Sequence, residues 1–248
     1  MSSAAIGRSL RLYHAPERRP ALDEFHRRFL GPGELAFDIG CHVGDRAASF
    51  LRLGAVVVAV EPQPRLARAL RLMFSREPRF TLVPALIGAS EGEAVLRLNS
   101  ANPTVATASE AFIAAAADAP GWEGQVWDAE IPLPRTTLDA LIARYGRPDF
   151  VKIDVEGWEA EVLAGLSAAP RALSFEFTTI QRGVALDCLD RLTALGYEAF
   201  NACLGESMAW AFPSAVTVDV IADWLRALPV EANSGDVYAA LEPGRLTA

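Results

Sequence analysis

Short apolar runs alternate with amphipathic stretches along most of this chain. Leu35–Ile39 and Ala55–Val60 are apolar over nearly their whole length, the second rich in Val. Runs of that length between turn residues predict strands buried on both faces. After each of them, Asp45–Leu53 and Pro64–Phe74 space their apolar residues for a helix, the second with Pro in its first turn, where a missing N–H costs nothing. The same reading places strands at Phe80–Val83, Phe150–Asp154, Ala172–Phe177, Tyr197–Ala202 and Asp236–Leu241. It places helices at Thr137–Tyr145, Glu159–Leu166, Gln181–Leu195 and Val218–Leu228. Strands alternating with helices predict a doubly wound α/β fold, with about seven mostly parallel strands and helices on both faces.

Two stretches depart from that rhythm. Residues 1–33 read as a polar lead-in or cap with one short helix, Leu22–Leu30, stopped by Gly31-Pro32-Gly33. The main domain then runs over 34–248. Within it, a possible edge strand at Ala94–Leu98 leads into Asn99–Arg135, an irregular insertion too long for an ordinary connection. Trp122 and Trp127 lie in that insertion, where aromatics either anchor the segment or offer a platform to a sugar ring.

With 248 residues, 51% hydrophobic and 22% charged, the chain has the balance of a folded protein with a sizeable core. Ala55–Val60 is only six residues long, far short of the roughly 20 that cross a bilayer. The first dozen residues lack the apolar core of a secretory signal, so a cytoplasmic location is expected. Cys41, Cys188 and Cys203 are odd in number and not spaced for a metal, which suits a reducing compartment. The net charge of −8 is uneven: residues 1–80 carry 13 Arg against 8 acids, and the remainder 10 basic residues against 23 acids. The arginines are scattered without interleaved aromatics, so no nucleic-acid partner is expected. Of the 23 basic residues only Lys152 is lysine, which singles it out.

Candidate chemistry gathers at the ends of the predicted strands. Asp38-Ile39-Gly40-Cys41-His42-Val43-Gly44-Asp45 runs from the first strand into a helix. Its glycines are four apart, unlike the G-x-G-x-x-G of a dinucleotide loop. Asp38 would repel a pyrophosphate but suits a ligand's ammonium group. Glu61 ends the second strand 21 residues after Gly40, where an acid takes ribose hydroxyls in nucleotide-binding α/β folds. Together these features describe a site for S-adenosylmethionine, although Glu61 could instead cap the helix that starts at Pro64. The second cluster, Lys152-Ile153-Asp154-Val155-Glu156-Gly157, ends the strand Phe150–Asp154. Residues two apart on a strand share a face, so Lys152, Asp154 and Glu156 can aim at one site.

These runs, with Val60-Glu61-Pro62 and Thr137-Leu138-Asp139, resemble the FkbM family of S-adenosylmethionine-dependent methyltransferases over about residues 34–241. The Lys-Ile-Asp-Val-Glu-Gly run is the specific part; the glycine loop alone marks only a broad methyltransferase class. The resemblance implies a Rossmann-like fold and methyl transfer to a hydroxyl of a sugar, glycan or natural-product acceptor. It also implies cofactor contacts from Asp38, Gly40, Cys41, His42, Gly44, Asp45, Glu61, Pro62, Ala85 and Asp154. His42 stands where the family commonly has Asn. For the chemistry, Asp154 is the expected base, or a ligand to a divalent cation with Glu156 and Glu176 as companions, and Lys152 lies on the same strand. Glu176 could alternatively pair with Lys152. Trp158 either lies against the acceptor or packs under its helix. Readings held open beside these are a non-catalytic S-adenosylmethionine or nucleotide-binding module, and methylation of nitrogen or carboxylate.

Overall fold

The computed structural model describes residues 3–247. Its main layer is a seven-stranded sheet built from β1 (Leu35–Ile39), β2 (Val56–Val60), β3 (Phe80–Val83), β7 (Phe150–Ile153), β8 (Ala172–Thr178), β9 (Ala199–Leu204) and β10 (Ser234–Ala240). The order is β3-β2-β1-β7-β8-β10-β9, with β10 inserted antiparallel between β8 and β9. The expected doubly wound, mostly parallel α/β fold is therefore present. Strand order reverses between β1 and β7, and such a switch point leaves a crevice at the carboxyl ends of the strands.

Each face of the sheet carries its own core. Phe37, Ile39, Val151, Ile153, Leu173 and Phe175 point to the side covered by α6 (Leu138–Tyr145), α7 (Glu159–Ala164), α8 (Arg182–Ala194) and α9 (Val218–Ala227). Ala36, Val57, Ala59, Phe150 and Tyr238 point to the other side, under α2 (Arg19–His26), α3 (Asp45–Arg52) and α4 (Pro64–Met73). The period-2 alternation places Asp38, Lys152, Glu176 and Asp236 on this second face, close to the strand ends that border the crevice.

The lead-in and the insertion are more ordered than the hydropathy pattern predicts. Two helices, α1 (Ser3–Tyr13) and α2, replace the single helix expected at Leu22–Leu30. α2 buries Leu22, Phe25 and His26 at helical spacing, and His26 is satisfied by the Ser49 hydroxyl at 2.9 Å. The insertion contains α5 (Glu110–Ala116) and β6 (Ala129–Thr136), which forms a second, three-stranded sheet with β4 (Leu86–Ile87) and β5 (Gly92–Leu98). β5 thus belongs to this small sheet and not to the edge of the large one. Pro132 and Pro134 disguise β6 as a loop, because proline lacks the ladder N–H. β4 pairs with β6 only at Arg135 and Thr136, so beside the prolines β6 has a partner strand on one side alone.

Candidate active site

The switch-point crevice is a cavity of about 1010 Å³, its open mouth included. The three strand ends that form its floor are tied together by the backbone. The N–H groups of Gly40 and Cys41 donate to the Val60 carbonyl at 2.9 and 3.0 Å, and Asp154 N–H donates to the Ile39 carbonyl at 2.9 Å. Gly40 has φ +79°, and a Cβ there would lie 1.8 Å from the Asp154 carbonyl oxygen. The glycine is required because two strand ends meet, a stronger demand than the ligand contact expected of it. Gly44 is not in the cavity lining; a Cβ there would press on Leu70 and Phe74 of the α4 region. Asp38, Gly40, Cys41, His42, Asp45, Glu61, Pro62, Ala85 and Asp154 all line the cavity, as do Lys152, Glu156 and Glu176.

Glu61 is 2% exposed, and its carboxylate accepts from two backbone donors, Gln63 N–H at 2.8 Å and His42 N–H at 2.9 Å. It therefore caps the start of α4 and faces the cavity at once, so the two readings of this residue are compatible. Burial pushes its carboxyl up to about 8, against the pull of those two N–H groups. Asp38 is 1% exposed with Oδ2 unpartnered. Burial raises it to about 7, with Lys152 opposing. A buried carboxyl with an unfilled acceptor, at the end of β1, is suited to a cationic or hydrogen-donating ligand group.

At the β7 end, Lys152 donates to Asp154 Oδ2 at 2.9 Å and lies 3.3 Å from Asp236 Oδ1. Burial alone would lower the Lys152 ammonium, but the two carboxylates outweigh it and hold it charged. Lys152 therefore pairs with Asp154 and Asp236, not with Glu176, whose Oε2 is buried and unpartnered. Burial and the neighbouring Asp154 carboxylate push both Glu156 and Glu176 well up. One oxygen each of Asp154, Glu156 and Glu176 lies within 4.8 Å of the others, a hard-oxygen set of the kind that holds Mg²⁺ or Ca²⁺. Glu156 adopts φ +57° and its carbonyl accepts from Thr107 Oγ1 at 2.7 Å, which pins this turn to the insertion. Gly157 follows at φ +84°, where a Cβ would lie 2.7 Å from the Phe112 ring of α5. The Glu-Gly pair thus seats the insertion against the end of β7.

Several expected residues turn out to be scaffolding. Thr137 Oγ1 caps α6 by accepting from Ala140 N–H at 3.0 Å, and Asp139 accepts from Ser167 N–H at 2.9 Å, so Thr137-Leu138-Asp139 fixes a helix start. Trp122 packs edge-on against Phe112, ring centroids 5.1 Å apart, and Trp127 donates to the Val105 carbonyl at 2.8 Å. Neither lines the cavity, so both anchor the insertion. Trp158 does line it, with its indole N–H on the Ile87 carbonyl at 3.2 Å.

Other wall residues escape a reading by motif: Tyr13, Arg46, Gln63 and Glu206. Asp236, the second partner of Lys152, escapes it too, although a lone acid in the last strand, Ser234-Gly235-Asp236-Val237-Tyr238, was a signal. Gln63 is 5% exposed, donates to the Pro103 carbonyl at 3.0 Å and leaves its amide oxygen unpartnered. Among the described residues, no helix is long and apolar enough to cross a membrane.

The family model of the methyltransferase FkbM domain matches residues 38–199, which hold both motif clusters. No curated protein matches the chain. Among solved structures, it is similar to precorrin-6y C5,15-methyltransferase from Geobacter metallireducens GS-15, with 13% identity, TM-score 0.43 and coverage of 89% of this chain and 86% of that one. It is also similar to magnesium protoporphyrin IX methyltransferase from Synechocystis PCC 6803 with bound S-adenosylmethionine, at 11% identity, TM-score 0.42 and coverage of 98% and 86%. Fibrillarin from Aeropyrum pernix, in complex with S-adenosyl-L-methionine, is similar at 11% identity, TM-score 0.42 and coverage of 85% and 67%. With the family match spanning most of the large sheet and all of the cavity floor, the chain belongs to the FkbM family of S-adenosylmethionine-dependent methyltransferases.

Proposed function

We propose that this methyltransferase modifies a hydroxyl oxygen on an uncharged sugar, glycan or natural-product acceptor, with Asp154 as the proton acceptor. The observation that carries this reading is the pairing of Asp154 with a buried Lys152, which holds a carboxylate in a fixed orientation at the mouth-facing end of β7. S-adenosylmethionine, when bound, supplies a methyl group on a sulfonium sulfur. In this reading Asp38 takes the ligand's ammonium and Glu61 its ribose hydroxyls, with Pro62 and Ala85 flanking the base. β2 and β8 are three strand spacings apart, roughly 14 Å, so Glu61 and Glu176 mark opposite ends of the crevice. That leaves the Asp154 end for the acceptor. There Asp154 would hold the acceptor hydroxyl and take its proton, with the cofactor's methyl group supplied to that oxygen.

The charge of the walls narrows the acceptor. Seven acids, Asp38, Asp45, Glu61, Asp154, Glu156, Glu176 and Glu206, line the cavity against Arg46 and Lys152. Burial holds Asp38, Glu61, Glu156 and Glu176 toward their neutral forms, and Arg46 and Lys152 are already engaged in ion pairs, so a phosphorylated or carboxylated acceptor would find no free cation to meet it in a partly desolvated space. A neutral polyol can donate its hydroxyls to the same carboxylates. The insertion over 99–135 and the first 33 residues, which border this end, are the segments we assign to acceptor recognition.

Incubation of the protein with methyl-labelled S-adenosylmethionine and matched neutral, amino and phosphorylated sugars tests the reading. Label is expected in a hydroxyl of a neutral member and absent from phosphorylated ones. Label on nitrogen or carboxylate alone would overturn the O-methyl assignment. Loss of transfer with a chelator and its return with magnesium would instead assign Asp154, Glu156 and Glu176 to a cation.

A further inference from the structure

The mouth of the cavity is bordered by α1 and the segment after it, which lie outside the family match. α1 ends at Tyr13, whose ring meets the His42 ring edge-on with centroids 5.6 Å apart. His42 sits at φ +49°, so its ring leaves the cofactor loop from a left-handed backbone position and turns toward α1. His14 Nε2 lies 2.8 Å from the Val43 carbonyl, and Arg8 donates to the Ala101 carbonyl at 2.8 Å. The segment after α1 is fastened by an ionic clasp: Arg18 and Arg46 each donate to Glu206 Oε2 at 2.6 Å, and Arg46 also donates to Asp45 at 2.8 Å. Arg18 in addition lies over the Tyr13 ring, 5.7 Å from its centroid. One short segment therefore touches the cofactor loop, the insertion and the β9–α9 loop.

The way this segment is held differs from the rest of the fold. Among the described side chains of α1, only Ala5 and Ser9 are buried below a tenth of their surface, and Leu12 is 59% exposed. Its attachment is polar and aromatic, with little apolar burial, and units so held open at a lower free energy than the body they cover. Arg46, by contrast, is 6% exposed and immobilised on α3. It is a fixed post to which Glu206, and through it Arg18, is hooked. Burial works against ionisation of Glu206, but Arg46, with smaller contributions from Lys152 and Arg18, outweighs it and holds the carboxyl down at about 2, so the clasp stays charged at neutral pH. The Tyr13 phenol is pushed up to about 12 by burial and by Glu206, Asp154 and Asp45, so it remains a neutral hydrogen-bond donor beside the acids.

We propose that residues 3–18 are a cap that opens to admit S-adenosylmethionine and closes over it, and that Tyr13 is a ligand-contacting residue that seals the reacting end of the cavity from water. This rests on the cofactor site described above. Closure would strengthen every electrostatic contact around the sulfonium and Asp154 by removing water, and it would make the cap part of what selects the acceptor.

Hydrogen–deuterium exchange and stopped-flow release of S-adenosylhomocysteine test it on the full chain. In the parent, S-adenosylhomocysteine is expected to slow exchange across α1 by roughly ten-fold or more, as expected for a local opening that ligand suppresses. Arg18→Ala, which removes a clasp residue outside the cavity lining, should speed α1 exchange in the ligand-free protein while β1 and β2 exchange as before. Tyr13→Ala should release S-adenosylhomocysteine about ten-fold faster, the scale of one lost aromatic contact, whereas Tyr13→Phe should stay near the parent. Unchanged α1 exchange in Arg18→Ala overturns the clasp whether or not any ligand binds. Parental release from Tyr13→Ala overturns the contact. A parent that fails to bind S-adenosylhomocysteine contradicts the cofactor site, and the ligand-free arm still decides the cap.

Discussion

The floor and the mouth of one cavity are held by different kinds of contact. The floor, residues 38–63 with 152–157, is backbone-tied: Gly40, Cys41 and Asp154 hydrogen-bond to the neighbouring strand ends, and Glu61 binds two main-chain N–H groups. The mouth, made by Tyr13, Arg18, Arg46, Pro103, Thr104 and Glu206, is held by side chains that meet across long sequence separations, 188 residues in the case of Arg18 and Glu206. Backbone-tied geometry restricts which residue can stand at each position, whereas a long-range ion pair can be replaced or moved without changing the sheet. The family match over 38–199 takes in the whole floor, whereas Tyr13, Arg18 and Glu206 of the mouth lie outside it and Arg46 lies within it.

The floor should be the less forgiving region. Gly40→Val would put a branched side chain at φ +79° and a Cβ 1.8 Å from the Asp154 carbonyl oxygen. Loss of stability should exceed about 4 kcal/mol, the range reserved for severe backbone and packing conflicts. Chemical denaturation measures it; a variant that folds as stably as the parent and merely binds ligand less well would restore the simpler view of Gly40 as a ligand contact.

Glu61→Gln comes next. The amide keeps an oxygen for one of the two N–H donors but lacks a second acceptor, so S-adenosylhomocysteine affinity should fall by about 1 to 3 kcal/mol, the scale for hydrogen bonds to a charged group. Titration calorimetry reads this directly, and unchanged affinity would place the ribose elsewhere. By comparison, a mouth substitution such as Arg18→Ala is expected to alter rates of ligand exchange more than the affinity itself.

The smallest effect is a pH dependence. Asp38 and Glu61 are raised to about 7 and about 8 by burial, so in the ligand-free protein each binds a proton at pH 6 that the unfolded chain has released. Two consequences carry opposite signs. The contribution of these groups to stability is fully present below the unfolded carboxyl range and declines as pH rises through the folded values near 7 and 8. Affinity for S-adenosylhomocysteine should increase over the same window, because its ammonium and ribose favour the ionised carboxylates, and binding near pH 7 should release protons. Calorimetry in buffers of different ionisation enthalpy detects that release; affinity flat from pH 6 to 8 would contradict the assignment.

Much of the floor is legible in the sequence. The runs Leu35–Ile39, Ala55–Val60 and Phe150–Asp154, each bounded by turn residues, read as strands, and Asp38, Glu61 and Asp154 stand out as acids at their ends. The insertion was not legible because its cues are mixed: Pro132 and Pro134 interrupt β6, and α5 is only seven residues long. The mouth left no local trace. Tyr13, Arg46 and Glu206 look like ordinary surface residues until the topology brings residues 13, 46 and 206 together. The two tryptophans of the insertion left anchor and platform both open for a related reason, since a motif cannot tell an aromatic that faces a ligand from one that faces Phe112.

Under the proposed function Asp154 takes the acceptor's proton, and the cofactor depends on Asp38 and Glu61 more than on Asp154. Asp154→Asn preserves shape and the hydrogen-bonding oxygen toward Lys152 while removing the charge. With the neutral acceptor identified by labelling, the variant should bind S-adenosylhomocysteine as the parent does and transfer methyl groups about 100-fold more slowly or worse, the scale of a lost general base. Transfer at the parental rate by a correctly folded Asp154→Asn protein would contradict it.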